Sequence, residues 1–208
     1  MLRTIAGAGG LCGDELGGKL YFCTANEALL YDGSDVKDWG VRTLASPPVA
    51  TVSSLGSLPT GVYSYAVTFT DVDGREGGAS DLGYFEIITG SGSVALLTPE
   101  PPAGGLTNLY VGKQQTTSLY FQRSVSTETA VTLSSFTDNS RLLAAVGGTE
   151  PPVGTRVARV GGSLFIAQGS AVWMTHPLHP HICYRHRGFF QFPTAVTELS
   201  PVERGLFV

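Results

Sequence analysis

GGKLYFCTANEALLY, residues 17–31, and GGSLFIAQGSAVWMT, residues 161–175, are two versions of one pattern, and they decide how the chain is read. Aligned without gaps at an offset of 144, they pair Gly17 with Gly161, Gly18 with Gly162, Leu20 with Leu164 and Tyr21 with Phe165. Farther along, Phe22 meets Ile166, Cys23 meets Ala167, Ala28 meets Val172, Leu29 meets Trp173 and Leu30 meets Met174. Each copy predicts a β-hairpin opened by a Gly-Gly turn, with the chain reversing at residues 24–27 or 168–170. Hairpins repeated in this way are the inner units of propeller blades and of repeated sheets; the alternative is chance likeness between two unrelated hairpins. The match of Cys23 with Ala167 marks a small buried slot, so Cys23 reads as a core thiol rather than a nucleophile. Trp173, aligned with Leu29, is expected to be buried.

Between the copies the texture changes. Residues 43–52 read as a linker in which Pro47-Pro48 enforces extended backbone. GVYSYAVTFTDVDGREGGAS, residues 61–80, then places Tyr63, Tyr65, Val67 and Phe69 at period two, which puts four large apolar side chains on one face of a strand. A turn is predicted at 71–74 and further strands at 82–89, 94–98, 107–111, 119–125 and 131–136, with PEPP at 99–102 separating two of them. Short strands with turn signals between them predict an antiparallel sandwich of fibronectin type III kind, closed by Pro151-Pro152. The expected fold class is therefore all-β. An incomplete propeller-like β-hairpin domain, residues 1–44 and 156–208, is split by an inserted fibronectin type III-like antiparallel sandwich, residues 45–155. Such an insertion is tolerated where the module's termini lie close together.

Composition narrows the classes of function. The 208 residues include 27 Gly and 12 Pro and are 42% hydrophobic, a mixture suited to a packed core of short strands and tight turns. Charged residues make up 14%, against the roughly one quarter usual for soluble domains, so partners are expected to cover much of the surface. The net charge is −4 and the basic residues are scattered, with Arg185, His186 and Arg187 the nearest to a cluster; nucleic-acid binding is not expected. No run approaches the ~20 apolar residues that span a bilayer. The N-terminal stretch to Cys12 is too short and Gly-rich to read as a signal-peptide core. Cys12, Cys23 and Cys183 show no CxxC spacing and read as reduced thiols of a protein made in the cytoplasm.

Candidate chemistry is sparse. All four histidines lie in THPLHPHICYRH, residues 175–186, with Cys183 among them, which raises a zinc site. The spacing of His176, His179, His181 and His186 fits no finger or zincin pattern, and Pro177 and Pro180 are expected to hold the segment extended with its imidazoles pointing apart. The favoured reading is a loop whose imidazoles cap backbone groups or meet a partner. Residues 71–76, DVDGRE, open like a calcium loop but lack its downstream bidentate Glu and flanking helices, so a strand-to-strand turn is expected. There is no GxSxG, HExxH, P-loop, or GxGxxG followed by a helix. Asp14, Glu15, Asp32, Asp35 and Asp38 offer acidic groups for a glycosidase pair, with solvated loops the expected role. No catalytic, cofactor-binding or metal residue is assigned.

GVYSYAVTFTDVDGREGGAS, followed by LTNLYVGKQQTTSLYFQRSV and then FTD, resembles the fibronectin-like insert of propeller-type bacteriophage tail proteins, with a Tyr-rich strand before a D-x-x-G-x-E-x-x-x-S turn. GGSLFIAQGSAVWMTHPLHPH and FFQFPTAVTELSPVERGLFV resemble the blade that follows it in that family. Leu109-Tyr110-Val111-Gly112 departs from the family's arginine-containing strand, and Val208 ends the sequence where the family runs on into further blades. The resemblance implies a virion tail component, such as a nozzle, adaptor or tail-tip protein. It would have no cofactor and would act by assembly with copies of itself and other tail proteins. The alternative is a carbohydrate or cell-surface binding module, with Trp39 or Trp173 stacking on a host-surface glycan.

Overall fold

A computed structural model describes residues 5, 10–113, 118–136, 141–203 and 205–208. The fold is all-β, 57% strand, with no helix among the described residues. Residues 114–117 and Thr137-Asp138, both within the stretches quoted above, lie outside the described set. The chain divides into two compact units, residues 1–41 with 148–208, and residues 42–147.

In the first unit, β1 (Cys12–Leu16), β2 (Lys19–Cys23), β3 (Ala28–Tyr31) and β4 (Val36–Asp38) form an antiparallel meander in the order β1-β2-β3-β4. Leu16 pairs with Lys19 across Gly17 and Gly18, whose φ values of 62° and 75° are the two positive angles that a two-residue primed turn demands. The next reversal is held by Thr24, whose N–H donates to the Glu27 carbonyl at 2.9 Å while its Oγ1 accepts from the N–H groups of Asn26 and Glu27.

The second unit contains β5 (Ala50–Thr70), β6 (Gly83–Thr98), β7 (Leu106–Lys113), β8 (Tyr120–Val125) and β9 (Thr129–Leu133). They follow one hydrogen-bonded path, β8-β7-β5-β6-β9, which curls into a half-barrel. Sequence reading divided this region into more and shorter strands. Residues 82–89 and 94–98 belong to the single strand β6, and the presumed linker contributes its last residues to β5. Two long strands can serve both halves of the curl because their register shifts between Ser53 and Leu58 and again between Pro59 and Gly61. Gly56 sits in the first shift with φ of 153°, and a Cβ there would overlap the Gly92 carbonyl.

The period-two stripe does what its spacing predicts. Tyr63, Tyr65 and Val67 are buried with Phe85, Ile87, Leu96, Leu109 and Val131 in one core cluster, and Phe69 is buried at the end of the stripe beneath the Arg42 guanidinium. The opposite face of β5 is buried too. Ala66 packs with Ala79, Tyr110, Leu119 and Leu143, so a flap at 76–82 and a return at 141–146 cover what a half-exposed strand would leave open.

The chain re-enters the first unit at β10 (Gly148–Thr149), which pairs with a later strand. It then runs through β11 (Arg156–Val160), β12 (Ser163–Gln168), β13 (Ala171–His176), β14 (His179–Tyr184), β15 (Phe189–Gln191), β16 (Ser200–Val202) and β17 (Gly205–Phe207). Residues 148–155 thus lie with the first unit rather than with the insert. The second sheet has the order β10-β14-β13-β12-β11, with β15 also on β13, and β16 pairs with β17 alone. The offset of 144 carries β1 onto β11 residue for residue, Cys12–Leu16 onto Arg156–Val160. It also carries β4 into β14, so the repeat is a whole four-stranded meander and not only its inner hairpin. Tyr21, Cys23, Leu30 and Trp39 of the first sheet share a core with Leu164 and Ile166 of the second.

Candidate functional site

The turn after β5 places the motif residues Asp71, Gly74, Glu76 and Ser80, and each has a local task. Asp71 Oδ1 accepts from the N–H groups of Asp73 (3.0 Å) and Arg75 (2.9 Å), while its Oδ2 takes the Arg75 Nε at 2.7 Å. Gly74 supplies the positive φ of 76° that the reversal needs. Ser80 Oγ accepts from Val67 N–H at 3.1 Å and donates to the Asp81 carbonyl. This is a strand-to-strand turn, as the sequence indicated.

Glu76 turns back toward the sheet, with its side chain about a quarter exposed. Its Oε1 accepts from the Tyr110 hydroxyl at 2.6 Å, from Asn108 Nδ2 at 3.2 Å and from Thr68 Oγ1; its Oε2 accepts from Arg141 at 2.8 Å. Asn108 Nδ2 also donates to Thr70 Oγ1, and Asn108 Oδ1 accepts from Ser124. Burial pushes the Glu76 pKa up, but the hydrogen bonds from Thr68, Tyr110 and Arg141 outweigh it and hold the carboxyl below its usual value. Burial and the adjoining carboxylate push the Tyr110 phenol well above its ordinary value. A carboxylate with this many donors is favoured in its ionised form, and the contacts tie β5, β7 and Arg141 together as a latch. Sequence reading named Glu76 as a turn residue and missed the latch, because Asn108, Tyr110 and Arg141 come from other elements.

The histidine segment is a β-hairpin and not the extended loop expected. Pro177 and Leu178 make its turn, and His176 pairs with His179 across it. Proline fits because that turn position has no ladder bond to give. The imidazoles form a row instead of pointing apart: the His176 and His179 ring centroids are 5.1 Å apart, and those of His179 and His181 are 5.7 Å apart. His176 Nδ1 accepts from the Leu178 N–H at 3.2 Å, so one imidazole does cap the backbone. Tyr184 stands edge-on to His176 beneath the Arg187 guanidinium. Burial first, then His179 and Arg187, lower the His176 pKa. Among the described residues no three His, Cys, Asp or Glu side chains are arranged to hold a metal ion.

The remaining candidates take structural roles. Asp14 Oδ2 accepts from the Arg159 N–H at 2.7 Å, which ties β1 to β11. Asp32 Oδ1 accepts from Ser34 and Asp35 in the β3–β4 turn and its Oδ2 pairs with Lys37 at 2.8 Å, which holds its carboxyl below the usual range. Burial raises the thiols of Cys23 to about 11 and Cys183 to about 12, far from thiolate reactivity. Trp39 is fully buried, with its Nε1 donating to the Pro180 carbonyl at 2.8 Å. Trp173 is half-buried instead of buried as expected: one side packs on the core shared by the two sheets, and Phe189 lies 5.2 Å away.

One surface feature was not signalled by any motif. A groove of about 310 Å³ opens on the second sheet between Val160, Phe165, Val172, Phe190, Phe192 and Leu206, and every side chain lining it is apolar. Of the residues lining it Phe190 and Val208 are exposed, as are their chain neighbours Phe189 and Phe207. The fold and this site define an all-β chain with two stacked copies of one meander, a curled insert, and an apolar face beside a short terminal hairpin. No protein-family model matches the chain, and no curated protein and no solved structure matches it either.

Proposed function

We propose that the chain is a non-catalytic structural component of a bacteriophage tail, at the nozzle, adaptor or tail tip, and that it acts by assembling with itself and other tail proteins in the virion. In this reading the two meanders are propeller-like blades, and the half-barrel is a fibronectin type III-related insert. The observation that carries it is the repeat itself: two four-stranded meanders stack face on face, and the second presents an apolar groove where the first has a partner. Exposed sheet faces and edges of this kind are stabilised by further sheets. A charged fraction of 14% points the same way. The polar clusters support it as well, since Glu76 and Asp32 are engaged in turns and latches. The phage assignment rests on the resemblance of the quoted motifs.

The alternative, a glycan-binding module, loses one of its two stacking platforms because Trp39 is fully buried. Sedimentation velocity of the purified chain at micromolar concentration tests the assembly reading. Oligomers, or co-sedimentation with other tail proteins, are expected. A soluble monomer that is absent from particles and binds glycans on an array through Trp173 would overturn it.

A further inference from the structure

We propose that Cys12 and Cys23 are a redox-active pair that closes a cross-strand disulfide and staples β1 to β2, with Cys12 meeting a small-molecule disulfide and Cys23 resolving the adduct. The inference is independent of the assembly reading. Cys12 of β1 and Cys23 of β2 are direct partners in the antiparallel register, and both thiols are free. Leu16 and Lys19, which close the two-residue Gly17-Gly18 turn, are a hydrogen-bonded pair, and the alternation along the ladder makes Cys12 and Cys23 one as well. In such a pair the Cα atoms lie about 5.5 Å apart, within the span of roughly 4.4–6.8 Å that a disulfide bridges. Partners in register send their side chains to the same face, and these two thiols are in hydrogen-bonding contact.

The two sulfurs differ in access. Cys23 is fully buried: its Sγ accepts from the Gly154 N–H at 3.3 Å and donates to the Pro152 carbonyl at 3.9 Å. Cys12 is half-buried and lines a cavity of about 410 Å³ with Thr24, Ala25, Thr155 and Arg156, to which Cys23 does not contribute. Burial raises the Cys12 pKa, while Arg156 on the cavity wall favours its thiolate. That thiolate attacks one sulfur of the incoming disulfide and expels the first small thiol. Cys23 then attacks the Cys12 sulfur, the protein S–S bond forms and the second small thiol leaves. The two cysteine protons end on the two released thiols, and the two electrons given up by the protein reduce the oxidant. The bond forms at the end of the β1–β2 ladder opposite the Gly-Gly turn, so the hairpin is closed at both ends. Cys183, fully buried on β14, lines no part of this cavity and serves as the internal control.

The test treats the full chain with glutathione disulfide at mildly alkaline pH, where more of the raised Cys12 thiol is ionised, and reads free thiols and linked peptides by mass spectrometry. The protein is expected to lose two of its three free thiols, to yield one linked pair of peptides carrying Cys12 and Cys23, and to keep Cys183 free. The β1 amides should then exchange at least ~10-fold more slowly, and dithiothreitol should reverse both changes. Cys23→Ser should retain glutathione on Cys12, whereas Cys12→Ser should leave Cys23 unmodified. The peptide map of the unsubstituted chain decides the matter even where a variant does not fold. Three free thiols at saturating glutathione disulfide, a stable glutathione adduct on Cys12 beside a free Cys23, or a link to Cys183 would overturn the proposal. A link between Cys12 and Cys23 with no added protection of β1 would overturn its role as a staple.

Discussion

At the residue scale the chain shows how differently apolar and polar positions can be read from sequence. Tyr63, Tyr65, Val67 and Phe69 are legible because burial in a strand leaves a period of two, and all four are at most 4% exposed. The Tyr65 ring lies tilted against Phe85, with centroids 6.0 Å apart, and its hydroxyl donates to the Pro48 carbonyl at 2.6 Å. Tyr65→Ala should therefore lose about 3–5 kcal/mol in urea unfolding, whereas Tyr65→Phe should lose only the hydrogen bond, about 1 kcal/mol. A loss under about 1 kcal/mol for the alanine variant would show that the stripe is not the core. Glu76 is the opposite case: its donors come from β5, β7 and the 141–146 return, and no local pattern announces them. Because its folded pKa is depressed, its contribution is complete above the unfolded value near 4.3 and fades as pH falls through the folded value. Glu76→Gln should cost about 2–4 kcal/mol at pH 7 and flatten the acid limb of the stability profile. An unchanged limb would remove Glu76 from the latch.

At the scale of elements, the hairpins were legible and the long strands were not. Gly-Gly and Gly-Ser turns between alternating residues fix the β1–β2 and β12–β13 reversals and Thr24 holds the β2–β3 reversal, and the structure puts turns at 17–18, 24–27 and 169–170. The 21-residue β5 was hidden because it begins inside the linker expected at 43–52 and its first half is exposed along most of its length, so the period-two pattern marks only its second half. Its bend depends on Gly56, so Gly56→Ala should destabilise by more than about 2 kcal/mol, through both the positive φ and the overlap with Gly92, as measured by thermal unfolding. The histidine hairpin was misread because two prolines suggested extension, while one of them occupies the turn. The lowered pKa of His176 sets a sign: the neutral form is favoured in the folded hairpin. Its contribution is complete above the unfolded value near 6.5 and is lost as pH falls below that value. The protection factors of the β13 and β14 amides, corrected for the intrinsic pH dependence of exchange, should fall as pH drops below about 6.5, and less so in His176→Gln. An equal fall in both proteins would detach the effect from His176.

At the scale of the whole molecule, the repeat disclosed two related hairpins, but not that each belongs to a four-stranded meander, that the meanders share a core or that one face of the second bears a groove, since that depends on which strand faces meet. The polar clusters are satisfied by protein groups, so chelator treatment should leave the melting temperature unchanged. A fall with stoichiometric zinc by elemental analysis would reopen the row of His176, His179 and His181. The central claim is that the chain works as a built-in part of a larger particle. Electron cryomicroscopy of intact particles from cells expressing the chain tests it most directly. The account predicts density for the stacked meanders at a fixed, symmetric position in the tail. Particles complete in every other component but without this chain would contradict it.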